Sequence, residues 1–167
     1  IWDRSEKTLT LIRDPIGIKP LFIHRSTNAI YFSSEVQALL KGTPIEKRLN
    51  LKSLTDMLFL GSDIDPTTSI EGITALKPGH LLTITEDGIL QEDAYWSPSM
   101  TAKKEGSPTD FEHILEANIA LSMTSDVPID ILLSAGVDSN VLAAALKQKN
   151  MPAHRAHIMR LSGRNYD

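Results

Sequence analysis

The segment Ile131-Leu132-Leu133-Ser134-Ala135-Gly136-Val137-Asp138-Ser139 runs from an aliphatic stretch, through small residues, into an alanine-rich stretch. A strand that turns through small residues into a helix makes an anion site. The first N–H groups of the helix have no intrahelical acceptor, and the helix dipole adds partial positive charge at the same point. Small side chains let a phosphate approach the backbone, and the hydroxyls of Ser134 and Ser139 add donors. Asp138 repels a bare phosphate, so its chemistry suits a helix cap that also holds Mg²⁺ against that phosphate. An ordinary strand-to-helix turn shares these features, and they do not separate the two readings.

Other reactive side chains are less well placed. Arg13 and Asp14 suit a turn anchor better than an interdomain salt bridge. Glu35 falls where a helix starts, and a carboxylate there suits the dipole without any function. His154 and His157 lie three apart on an expected strand without carboxylate partners, a poor metal site. His24, His80 and His113 are scattered, and Phe111 reads as core. The chain has no cysteine. That removes disulfides, thiolate metal sites and a cysteine nucleophile from these residues, and no serine or threonine stands at the first position to replace it.

The elements that must position these groups change character along the chain. Residues 8–12, 21–24 and 29–32 are β-branched and aliphatic runs separated by turn residues, which predicts three strands. Ser33 or Ser34 then caps a short helix to Leu40, ended by Lys41-Gly42. Apolar positions 51, 54, 57, 58 and 60 form a helical stripe with Asn50 as N-cap and Gly61 as stop. Residues 63–78 read as loop, and Glu86-Asp87-Gly88 as a hairpin turn between strands 80–84 and 89–90. Residues 97–108 read as a linker by composition. Beyond them Thr109 caps a helix, residues 127–133 form a strand, 139–149 a helix and 157–159 another strand. Such alternation predicts a parallel sheet with a crossover helix.

The loop at Ser134 resembles the pyrophosphate-binding loop of the N-type ATP pyrophosphatases, Ser-Gly-Gly-x-Asp-Ser, with Ala135 in place of the first glycine and Asn140 where a second serine is usual. A need for positive φ at that glycine would make the alanine methyl a handicap. Upstream, Arg13-Asp14-Pro15-Ile16-Gly17-Ile18-Lys19-Pro20-Leu21 and Phe32-Ser33-Ser34-Glu35 resemble the class II glutamine amidotransferase domain. Leu76-Lys77-Pro78-Gly79-His80, Tyr95-Trp96 and Ser125-Asp126-Val127-Pro128 follow in the order found in glutamine-hydrolysing asparagine synthetases. The whole chain resembles an internal segment of that family.

The resemblance implies an α/β chain. The end of an N-terminal-nucleophile (αββα) glutaminase domain, residues 1–45, would be followed by the first part of a parallel-sheet, Rossmann-like ATP-pyrophosphatase domain, residues 46–167. It implies ATP with Mg²⁺, aspartate and glutamine-derived ammonia as small-molecule partners, in the cytoplasm, and admits a homodimer of the full-length parent. ATP phosphates would dock on Ser134, Gly136, Asp138 and Ser139, with the Leu133 main chain near adenine and Asp138 toward Mg²⁺. The glutaminase nucleophile and later synthetase residues would lie outside the segment. The segment alone is therefore expected to lack glutaminase activity and to expose unpaired strand edges. Related ligases on the same scaffold remain alternatives (β-lactam synthetase, lasso-peptide cyclase, polysaccharide amidotransferase), as does a non-catalytic relative.

Composition bounds these readings. Hydrophobic residues make up 41% and charged residues 23%, a globular balance. A net charge of −4 disfavours binding to nucleic acid or a membrane surface through bulk charge, and no aliphatic run approaches a membrane span. The first residue is Ile1, which suggests a fragment.

Overall fold

In Thr8–Ile12 (β2) the alternation Thr-Leu-Thr-Leu commits one face to the interior. Antiparallel pairing with His80–Thr85 (β6) sets Leu9 against Ile84 and Leu11 against Leu82, so the apolar faces of both strands coincide. The computed structural model of this chain describes residues 1–88, 90–98, 107–150 and 153–159, with only the backbone at 153 and 154. It divides into two units, Ile1–Met100 and Thr101–Asp167.

In the first unit, Trp2–Asp3 (β1), β2, β6 and Leu90–Ala94 (β7) form one antiparallel sheet in that order. Phe22–Arg25 (β3) sits between Ile30–Ser33 (β4) and Ile73–Ala75 (β5) in a second antiparallel sheet. Ile23 of the second sheet joins Leu11, Leu82 and Leu76 in one buried cluster, so the two sheets share a core. Strands within residues 73–94 thus complete sheets begun by residues 2–33, and the boundary expected between 45 and 46 falls inside this unit. Most of the linker expected at 97–108 lies outside the described residues, as does Ile89.

The expected strands at 8–12, 21–24 and 29–32 are present within one residue at each end. Two short helices follow, the first differing from expectation at its cap and the second not. Val36–Gly42 (α1) has Glu35, not the expected Ser33 or Ser34, as N-cap and no side-chain cap bond; the Ser33 hydroxyl accepts the Glu35 N–H at 3.1 Å. Leu51–Leu60 (α2) has the expected ends: the Asn50 side chain accepts from the Ser53 N–H, and Gly61 is left-handed at φ 80°.

In the second unit, Pro108–Ser122 (α3) precedes Ile129–Leu133 (β8), Val137–Gln148 (α4) and Ala153–Ile158 (β9). β8 and β9 pair in parallel with α4 as the crossover, the β-α-β unit expected. The N-cap of α3 is Ser107 and not Thr109. Ser107 and Asp110 form a reciprocal capping box, and Pro108 occupies the first turn, where no N–H is required. Lys149 pairs with Glu116 at 2.9 Å, tying α4 to α3. Among the described residues no helix is long and apolar enough to cross a membrane.

Candidate functional site

β8 alternates half-buried Ile129, Ile131 and Leu133 with exposed Asp130 and Leu132, and so fixes where the chain emerges at Ser134. The chain then turns through Ala135 and Gly136 and enters α4 at Val137. All five sequence-selected residues, Leu133, Ser134, Gly136, Asp138 and Ser139, are gathered at this turn, and all but Leu133 and Ser139 are exposed.

The turn is bonded to itself. The Ser139 hydroxyl accepts the Ser134 N–H at 3.1 Å and lies within hydrogen-bond distance of the Ser134 and Gly136 carbonyls, 3.1 Å each. The Ser134 hydroxyl accepts the Gly136 N–H at 3.1 Å and meets the Ser139 hydroxyl at 3.0 Å. The hydroxyls expected to face an anion are thus engaged within the loop. Among the described residues, the main-chain N–H groups of Ala135, Val137, Asp138 and Ser139 have no acceptor. They are the donors the turn presents.

Asp138 does not cap α4. The N-cap is Gly136, with no side-chain cap bond, and Asp138 lies in the first turn. Its carboxylate suits the helix dipole there and has no hydrogen-bond or ion-pair partner among the described residues. A single free carboxylate beside unpartnered main-chain N–H groups fits Mg²⁺, which takes one or two carboxylates and completes its shell with phosphate oxygens and water. A protein-only site is not what the turn offers: among the described residues no group of three metal-ligating side chains occurs. Ala135 is not among the residues with positive φ, and Gly136 has φ −71°, so this backbone does not demand a glycine for its dihedral angles. The handicap expected of Ala135 on that ground does not arise.

Two side chains have partners that sequence spacing does not reveal. The Asn140 carboxamide donates to the Ser134 carbonyl at 3.1 Å and to the Gly136 carbonyl at 2.8 Å, so this departure from the usual serine is bonded into the turn. His157 does have a carboxylate partner: its Nε2 lies 2.5 Å from Asp130 Oδ2 across the parallel pair. Spacing along one strand could not show a partner on the neighbouring one.

The upstream motif is a scaffold within the first unit. The guanidinium of Arg13 is buried and donates to Asp65 Oδ2 at 2.7 Å and to the Leu76 carbonyl at 2.6 Å, with longer bonds to the carbonyls of Lys19 and Gly17. It is a turn anchor with an ion pair inside its own unit. Gly17, at φ 75°, leaves no room for a side chain: a Cβ would lie 2.8 Å from Pro78 and 3.1 Å from the Arg13 guanidinium.

Comparison with known proteins agrees with the order of these features. The family described as glutamine amidotransferase domain matches residues 1–96, and that described as asparagine synthase matches residues 110–164. Asparagine synthetase [glutamine-hydrolyzing] 3 of Bacillus subtilis is 30% identical over 167 residues, covering 95% of this chain and 27% of that protein. Asparagine synthetase [glutamine-hydrolyzing] 1 of Saccharomyces cerevisiae is 29% identical, covering 92% of this chain and 23% of its own length. Amidase chry2 of Gibberella zeae is 29% identical, with 86% and 22% covered. The chain spans about a quarter of the length of these relatives. With both family matches in sequence, amidotransferase then synthase, the chain belongs to the asparagine synthetase family.

Proposed function

We propose that the full-length protein uses ATP to activate the side-chain carboxylate of aspartate and transfers to it ammonia released from glutamine, giving asparagine, AMP, pyrophosphate and glutamate. One observation carries this reading. The exposed turn with four unpartnered N–H groups and a free Asp138 carboxylate lies within the stretch that matches asparagine synthase, downstream of an amidotransferase match in the same chain. In this reading the first unit belongs to a glutaminase of the N-terminal-nucleophile type, and β8-α4-β9 opens a Rossmann-like ATP-pyrophosphatase sheet. These residues contain no cysteine, so in this reading a cysteine nucleophile for glutamine hydrolysis would have to come from outside them.

The chemistry requires a carboxylate oxygen to attack the α-phosphorus while pyrophosphate leaves. Negative charge then grows on the β- and γ-phosphates. The N–H groups of Ala135, Val137, Asp138 and Ser139 are fixed before the reaction and aim at that charge, the arrangement that stabilises a transition state without reorganisation. The Leu133 main chain is assigned to the adenine side. Mg²⁺ held by Asp138 and phosphate oxygens would supply further charge neutralisation. Ammonia then attacks the acyl carbon, and AMP departs.

Asp138→Ala tests the assignment in the full-length protein. Aspartate-dependent exchange of pyrophosphate into ATP is expected to fall by at least ~10²-fold, the scale of losing one electrostatic stabiliser. Stability should change by no more than about 1 kcal/mol, since only a dipole interaction and no cap is removed. Unchanged exchange in a folded variant would leave the turn a structural one.

A further inference from the structure

The turn between β8 and α4 contains a side chain whose role neither the family pattern nor the spacing supplies. Asn140 stands in the first full turn of α4 and sends both hydrogens of its carboxamide back to the loop, one to the Ser134 carbonyl at 3.1 Å and one to the Gly136 carbonyl at 2.8 Å. A trans peptide unit is planar, and its C=O and N–H point in opposite directions. The Ser134 carbonyl shares its unit with the Ala135 N–H, and the Gly136 carbonyl shares its unit with the Val137 N–H. Holding those two carbonyls toward the helix therefore turns those two N–H groups away from it. Both are unpartnered among the described residues.

We propose that Asn140 is a positioning residue that aims the Ala135 and Val137 N–H groups at the bound pyrophosphate group. The inference rests on the nucleotide reading above and deepens it. The donor count favours Asn140 over its neighbour. The Gly136 carbonyl also accepts the Asn140 main-chain N–H at 3.4 Å, a bond that any residue at 140 keeps. Among side chains, Ser139 has a single hydroxyl proton to share among the Ser134 carbonyl, the Gly136 carbonyl and the Ser134 hydroxyl, whereas the Asn140 carboxamide has two and reaches both carbonyls. A serine side chain at position 140 would reach one carbonyl at most. An aspartate side chain would donate to neither and would set a negative charge against two carbonyl oxygens. Asn140 is thus a second solution to the same requirement, and its presence does not mark a decayed site.

The experiment is titration of the full-length protein with inorganic pyrophosphate in the presence of Mg²⁺, and separately with adenosine, alongside thermal melts. Asn140→Leu keeps the branched side-chain shape and removes both donors, and Asn140→Ser retains one. Pyrophosphate affinity is expected to weaken about tenfold in Asn140→Leu, the scale of one to two hydrogen bonds that orient an anion site. Asn140→Ser should fall between that variant and the wild type, with adenosine affinity unchanged in both. Asn140→Ser carries the test if the leucine variant does not fold. Equal pyrophosphate affinity in wild type and variants would overturn the positioning role and leave the nucleotide reading standing. Equal losses for adenosine and pyrophosphate would also overturn it, as the mark of a general structural role. A wild type that binds no pyrophosphate would remove both.

Discussion

The carboxylate of Asp14 accepts main-chain N–H groups from Ile16, Ile18 and Lys19, at 3.2, 2.9 and 2.9 Å. Those bonds, the one from Lys19 foremost and then Ile18, hold its carboxyl below the ordinary value of 3.8. A depressed folded pKa means that the contribution of Asp14 is complete above about pH 4 and is lost as pH falls through the lower folded value. Asp14→Asn should therefore be less stable than wild type at neutral pH, with the gap closing on acidification below about pH 4. Denaturant melts across that range check it, and a gap independent of pH would contradict it. The Arg-Asp-x-x-Gly spacing was legible as a motif, yet its reason was not. Arg13 bonds to Asp65 and to the Leu76 carbonyl, and Gly17 is excluded from bearing a side chain by Pro78, all of them distant in sequence. At the turn after β8 the selected residues do come together, while the roles expected of their side chains differ from what the structure shows. The serines bond inward, and main-chain donors face out.

At the scale of elements, α2 shows what a periodic pattern can and cannot say. The apolar stripe, Asn50 and Gly61 located the helix and both its ends. The face it buries is another matter: Ser53 is 1% exposed while Leu51 and Leu58 of the stripe are 72% and 81% exposed, the reverse of what the stripe implies within this unit. The Ser53 hydroxyl has no hydrogen-bond partner among the described residues. Burying an unpaired hydroxyl costs free energy, and alanine is the better helix former. Ser53→Ala should accordingly raise stability by about 1 kcal/mol or leave it unchanged. A loss above about 1 kcal/mol in a thermal or denaturant melt would show that the hydroxyl has a partner there. β1, β5 and β7 were not recognised, or only at one end. Leu90–Ala94 is mostly polar and exposed and has no alternation; its hydrogen bonds to β6 make it a strand, a tertiary effect outweighing local preference. Ser107 was absorbed into a stretch read as linker, which hid the capping box of α3.

For the whole molecule, the class of fold was readable because two periodicities divide the chain, strand-like runs first and helix–strand alternation later. The division into units was harder. Composition pointed near residue 100 and the family order to residue 45, and it is the pairing of β5 with β3 and of β6 with β2 that holds residues 73–94 in the first unit. Strand pairing across some seventy residues leaves no mark in local sequence, since register depends on both partners. The family was legible through ordered motifs, and in the proposed function the turn at Ser134 would supply fixed donors for a leaving pyrophosphate. The central claim is that the aspartate carboxylate bonds to the α-phosphorus of ATP. The most direct measurement follows the carboxylate oxygen. With full-length protein, ATP, ammonia and aspartate labelled by the heavy oxygen isotope in its side-chain carboxylate, one labelled oxygen is predicted to appear in AMP, carried there when ammonia displaces the adenylate. Label in inorganic phosphate, or none in AMP while asparagine forms, would contradict the account.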